Sequence, residues 1–225
     1  MAISGKHKLG IDYSDDNSEY LAVFHHRVLS LIVAGYKRLL EDNMDYTNEE
    51  EPNITGEIAK YAEEYAGDPA SPEWAKHFVV YDEGMENTKG RKGKKRKKVD
   101  IVCVLTDRRP HSSMKFEAKR LKGKDFPVGK YVGRVGLGEF LAEDYAPELD
   151  TVVMLGYVQS NNCDYWAEQI RIALNNREKE VHLSKGGGWQ KAGFEDINHC
   201  YKTRHDRPTI ESELLVFHLL LDFTN

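Results

Sequence analysis

Two short apolar runs, VDIVCVL over residues 99–105 and MKFEAK over 114–119, lie eight residues apart and constrain the fold most. Each is too short for a helix and is rich in β-branched or bulky apolar residues, so each predicts a strand. The stretch between them, TDRRPHSS, carries turn formers and is short enough for antiparallel pairing but not for a crossover. A third run, HFVVYD over 77–82, precedes them and predicts an antiparallel meander of three strands.

The meander sits inside an alternating pattern. EYLAVFHHRVLSLIVAGYKRLLED places Leu21, Phe24, Val28, Leu31, Ile32 and Leu39 at helical spacing from Glu19 on. Lys37 and Arg38 close that helix, where they suit the negative end of its dipole. ITGEIAKYAEEYA predicts a second helix with Asn53 or Thr55 as its cap. After the meander, residues 132–146 read as a loop leading into a helix. TVVMLGYVQ reads as a buried strand, CDYWAEQIRIALNNRE as a helix and ELLVFHLLLDF as a strand. HCYKTRHDR is open between strand and irregular segment, SKGGGWQKAGF reads as mobile from its glycines, and residues 1–18 as loosely ordered. No repeat and no linker interrupts this order, so the expected architecture is one α/β domain over 1–225 with a central mixed sheet flanked by helices.

Composition excludes some functions. At 40% hydrophobic and 31% charged the chain is an ordinary globular one, and its formal net charge of -5 means that nucleic acid could be held only by a local basic patch. Cys103, Cys163 and Cys200 are few, far apart and odd in number, which speaks against a disulfide framework and for a reducing cytoplasm. No apolar run approaches the length of a membrane span or a signal peptide, so a soluble cytoplasmic protein is expected.

The charges inside the strand runs carry the chemistry. Alternation puts Glu117 and Lys119 on one face of their strand, and an acid and a base buried there are costly to desolvate unless they are used. Asp100 opens the preceding strand and falls at the same end of the sheet if the two strands pair. Two carboxylates of this kind suit Mg2+ or Mn2+. The alternative is a solvent-facing Glu117–Lys119 pair and an Asp100 that merely begins a strand. Immediately before Asp100 lies a basic run of Arg91, Lys92, Lys94, Lys95, Arg96, Lys97 and Lys98, extended further on by Lys115, Arg120, Lys122 and Lys124. It reads as a phosphate clamp for DNA, or as a solvated hairpin tip.

Asp100, followed by Glu117-Ala118-Lys119 on the next strand, resembles the PD-(D/E)xK nuclease superfamily, which includes many restriction endonucleases. Val99 stands where the proline of that name would be. The resemblance covers roughly residues 54–160, with 160–225 as a C-terminal extension. It implies a restriction-endonuclease-like core and metal-dependent hydrolysis of DNA phosphodiester bonds. Asp100, Glu117 and the Ala118 carbonyl would hold the ion, and Lys119 would orient the attacking water. The family often adds an acid from a helix ahead of the sheet, and Glu57 is similar in placement; its plainer reading is an acid favoured by the helix dipole. MLGYVQ and FHLLLDF also look like segments of small nucleases of bacterial anti-phage defence, which implies an effector regulated by oligomerisation or by an ATPase or sensor partner. The reading from another class is a DNA- or protein-binding subunit that keeps the fold with its acids unused. GRVGLGEF lacks the frame of a dinucleotide loop, and His199, Cys200 and His205 match no common zinc spacing.

Overall fold

Seven strands form one mixed sheet in the order β1-β2-β3-β4-β7-β6-β5. The computed structural model describes residues 13–42, 44–85, 97–107, 111–142 and 148–224. The strands are β1 (Phe78–Met85), β2 (Lys98–Leu105), β3 (Ser112–Leu121), β4 (Thr151–Val158), β5 (Gln190–Lys191), β6 (Cys200–Arg207) and β7 (Ser212–Asp222). β1, β2 and β3 form the expected antiparallel meander, β4 runs parallel to both β3 and β7, and β6 and β5 complete the far side antiparallel. β4 is therefore central with parallel neighbours on both sides. Its near-continuous apolar sequence follows from that place, since every residue after Thr151 is buried.

Two helices cover one face, α1 (Tyr13–Glu41) and α2 (Glu51–Gly67). Val28, Leu31 and Ile32 of α1 and Ile54, Ile58 and Ala62 of α2 share a core with Ile101, Phe116, Ala118, Leu155 and Tyr157 of the sheet. The helices touch at Gly35, where a Cβ would stand 2.5 Å from the Ile58 carbonyl oxygen, so any larger residue forces them apart. The other face is covered by α3 (Val128–Val132), α4 (Leu137–Leu141) and α5 (Cys163–Asn176), with Tyr131, Phe140, Trp166 and Ile170 packed on Met154, Val158, Val216 and Leu220. No helix among the described residues is long and apolar enough to cross a membrane.

Three local expectations are corrected. The first helix begins at Tyr13, inside the stretch expected to be loosely ordered. The second begins at Glu51, not at Ile54, and neither Asn53 nor Thr55 caps it: Glu50 is the N-cap, without a side-chain bond, and Pro52 sits in the first turn where its missing N–H costs nothing. Over 132–146 the expected loop leads into a helix, the single turn α4, with the turn α3 just ahead of it; residues 143–147 lie outside the described set. The glycine tract is a packed strap and not a mobile loop. Gly187 lies against β6, where a Cβ would meet the Arg204 carbonyl oxygen at 2.7 Å, and Trp189 stacks on Tyr201 with centroids 4.6 Å apart. HCYKTRHDR resolves as β6.

Candidate functional site

The sheet opens where β2 leaves β3. The ladder ends at Ile101↔Phe116, and Asp100, one step further, meets β3 through its side chain. From that point the β3 amides that would have paired with β2 need other acceptors, because a buried N–H left alone costs as much as a lost hydrogen bond. Carboxylates supply them. Ala118 N donates to Asp100 Oδ2 at 2.7 Å, and Arg120 N donates to Glu51 Oε2 at 3.1 Å. Both N–H groups point to the same edge of β3, since residues two apart in a strand repeat their orientation. α2 thus enters the gap with its first residue.

The irregularity extends to β1. Glu83 would pair with Asp100 between Asp82↔Ile101 and Gly84↔Val99, but it takes φ 49°, and its side chain accepts from Lys98 Nζ at 2.7 Å. Alternation breaks at the same point on β2: Val99 packs with the α5 side and Ile101 with the α1–α2 side. Asp100 is therefore partly buried at a kink in two strands.

Glu117 is buried at 8% exposure, which excludes the solvent-facing pair. The Lys119 ammonium donates to Glu117 Oε1 at 2.8 Å, to Glu51 Oε1 at 3.0 Å and to the Ala118 carbonyl oxygen. Behind these groups Tyr157, wholly buried, shares a 2.9 Å bond with Thr55 of α2. Glu51 and Thr55 lie one turn apart on one face of α2, so this bond fixes the level at which Glu51 meets the sheet.

The electrostatics follow from burial and from the surplus of acids. Burial raises the Asp100 carboxyl above its ordinary range; Lys119 and the Ala118 N–H oppose that rise, while Glu51 and Glu83 add to it. Burial alone would lower the Lys119 ammonium. The charges of Glu117, Glu51 and Asp100 outweigh burial and hold it well above the usual lysine range.

Of the residues expected from sequence, Asp100, Glu117, Ala118 and Lys119 are brought together. Glu57 is not, and this is a correction. It accepts from Lys60 Nζ at 3.0 Å one turn and a half further along α2, and half-exposed, while Glu51 reaches the cluster in its place. Pro52 was the signal for Glu51: a proline just inside a helix start puts the preceding acid in the first turn. The basic set is placed as follows. Arg91, Lys92, Lys94, Lys95 and Arg96 lie outside the described residues. Lys97 pairs with Glu139 and Lys98 with Glu83, both at 2.7 Å. Arg120 donates to Gln159 Oε1 at 2.6 Å and stacks over Phe126 at 4.0 Å. Lys122 donates to the Thr47 carbonyl at 2.8 Å and to the Asn48 side chain. Lys115 is buried on Glu148 at 2.7 Å. Lys97, Lys98, Lys115, Arg120 and Lys122 thus hold the protein's own acids, the Gln159 side chain and loop oxygens, while Lys124 is exposed. His199, Cys200 and His205 do not meet at one point: His199 faces Asp164 at 3.5 Å, and His205 is buried against Thr203 and Val181.

Among the described residues no three His, Cys, Asp or Glu side chains are gathered closely enough to hold a metal ion. In this cluster the ammonium stands between the acids. Its acceptors are two carboxylates and a backbone carbonyl, oxygen donors of the kind that Mg2+ and Mn2+ take, so the donor chemistry fits a hard divalent ion. Comparison with family models, with curated proteins and with solved structures finds no match.

Proposed function

We propose that the chain is a metal-dependent endonuclease hydrolysing DNA phosphodiester bonds, with a restriction-endonuclease-like core formed by α2, the meander, α3, α4 and β4. The observation that carries this reading is the convergence of Asp100, Glu117, Glu51 and Lys119 at the opening between β2 and β3. The order helix, three strands, helix, strand supports it, as does the parallel pairing of β3 with β4.

Glu117, Asp100 and the Ala118 carbonyl would hold the ion, with Glu51 as the further acid from α2. When bound, Mg2+ or Mn2+ supplies Lewis-acid stabilisation of the phosphate and a more acidic water. Lys119 orients the water and donates to phosphate oxygen as charge develops there. Glu51, through Arg120 N, keeps the end of β3 fixed beside the reacting group. Burial behind Tyr157 and Phe116 strengthens these interactions by keeping the local dielectric low. An effector role in anti-phage defence rests only on the MLGYVQ and FHLLLDF segments, which lie in β4 and β7.

A second reading is favoured by a specific observation. Asp100 and Glu51 both satisfy β3 amides, which accounts for two acids structurally and suits a DNA- or protein-binding subunit without catalysis. Nicking of supercoiled plasmid by the purified chain with Mg2+, Mn2+ or EDTA separates the two. The nuclease nicks only with metal, and Glu117→Ala and Lys119→Ala each abolish nicking. DNA binding without nicking under any metal supports the binding subunit. Nicking that survives both substitutions refutes this site.

A further inference from the structure

We propose that the Lys119 ammonium is a built-in occupant of the divalent-ion position, and that an ion binds there only by displacing it. The proposal rests on the ion site argued above and adds how that site is held when empty.

The geometry around Nζ carries it. An ammonium has three N–H donors, and here each has one acceptor: Glu117 Oε1 at 2.8 Å, Glu51 Oε1 at 3.0 Å and the Ala118 carbonyl oxygen. The ammonium is thus coordinated as a cation by the donors an ion would use. Mg2+ takes its oxygens at about 2.0–2.1 Å, so an ion on the Glu117 and Ala118 oxygens would overlap Nζ. The two cations exclude each other.

The charge balance gives a reason for exchange. Asp100, Glu117 and Glu51 bring three carboxylates around one ammonium. A divalent ion in the same place would offset more of their charge than the single ammonium does. Lysine is suited to leaving: its four-carbon stem is flexible and its charge is a compact point, so withdrawal needs no backbone movement. The side chain is only 13% exposed, so in the metal-free protein it is shielded, and exchange brings it out of that shelter.

The test is calorimetric titration of the full chain with Mn2+ alone, at one pH, for wild type and Lys119→Met. Removing the competitor should tighten Mn2+ binding by about tenfold or more, the factor that roughly 1.4 kcal/mol provides. Equal or weaker binding by Lys119→Met, with Mn2+ still bound by wild type, overturns the displacement and leaves the ion site standing. No Mn2+ binding by either protein overturns the ion site and the displacement with it. Wild type alone gives a second reading should the variant not fold. Acylation of Lys119 by an N-hydroxysuccinimide acetate reagent, read by mass spectrometry, should be slow without Mn2+ and at least severalfold faster with it. A rate unchanged by saturating Mn2+, or lowered by it, overturns the proposal.

Discussion

Two buried polar clusters interrupt the apolar sheet, and they are satisfied in opposite ways. On the β6–β7 side, His205, Thr203, His218 and Tyr131 form a neutral chain. Val181 O can only accept, so His205 Nδ1 donates to it at 2.7 Å, and His205 Nε2 accepts from the Thr203 hydroxyl at 2.7 Å. Thr203 Oγ1 then accepts from His218 Nε2 at 2.8 Å, and the Tyr131 hydroxyl shares its one proton between the Met154 carbonyl oxygen and His218 Nδ1, each 3.2 Å away. The chain pairs its polar atoms without a formal charge, and Trp189 covers His218 with ring centroids 4.8 Å apart. On the β2–β3 side, three carboxylates face one lysine and no neutral pairing is available. The first cluster needs nothing from outside. The second gathers like charge, which is what the proposed ion would offset. Burial of polar groups alone therefore does not single out a candidate site; a gathering of buried like charge does.

The comparison predicts that damage to the neutral chain costs stability, while damage to the charged cluster costs function. The largest effect should come from Thr203→Val, which preserves shape but strands His205 Nε2 and His218 Nε2 together. Urea unfolding should show a loss of about 2–4 kcal/mol. A loss below about 0.5 kcal/mol would mean that the chain is not held as described.

Acid should act through the same histidines. Burial lowers the His205 imidazole from 6.5 to about 4 and holds His218 well below its ordinary value; His25 on α1, outside the chain, is likewise lowered to about 4. Between those values the unfolded imidazole binds a proton that the folded one does not. Stability from each is complete above 6.5 and falls as pH drops through the window, by up to about 1.4 kcal/mol per pH unit per group. Urea unfolding at pH 7 and pH 5 measures this, and His205→Gln should flatten the dependence. An unchanged slope would remove His205 from the account.

Tyr157→Phe should cost about 1 kcal/mol, the worth of the bond to the buried Thr55 hydroxyl, and should also weaken Mn2+ binding because Glu51 loses its anchor. Calorimetry that shows unaltered Mn2+ binding would separate Glu51 from this bond. Glu57→Ala should be smallest, within about 0.5 kcal/mol, since it removes one exposed pair, and should leave Mn2+ binding unchanged. Weakened binding in Glu57→Ala would restore Glu57 to the site in place of Glu51.

The same contrast explains what could be read in the sequence. The meander and the approach of Asp100 to the Glu117–Lys119 stretch were legible because apolar alternation sets strand register and the charges interrupt it at fixed steps. His218 was legible as a core histidine because it lies within an apolar strand. Glu51 was hidden among Asp42, Asp45, Glu49 and Glu50, where acid content marks a loop, and only Pro52 distinguishes it. The strap around Gly187 and Trp189 read as flexible because glycine permits both freedom and close approach, and only the neighbouring Arg204 backbone decides between them. The double role of Asp100 and Glu51 as acceptors for β3 amides depends on β2 leaving the ladder, which no local pattern encodes.

Asp100→Asn tests the central claim most directly, because the amide oxygen can still accept from Ala118 N while the negative charge is gone. The variant should fold with stability within about 1 kcal/mol of wild type, bind plasmid DNA, and fail to nick it in Mg2+ or Mn2+. Nicking at the wild-type rate by a folded Asp100→Asn protein would contradict the account and leave the cluster as a structural device at the end of β3.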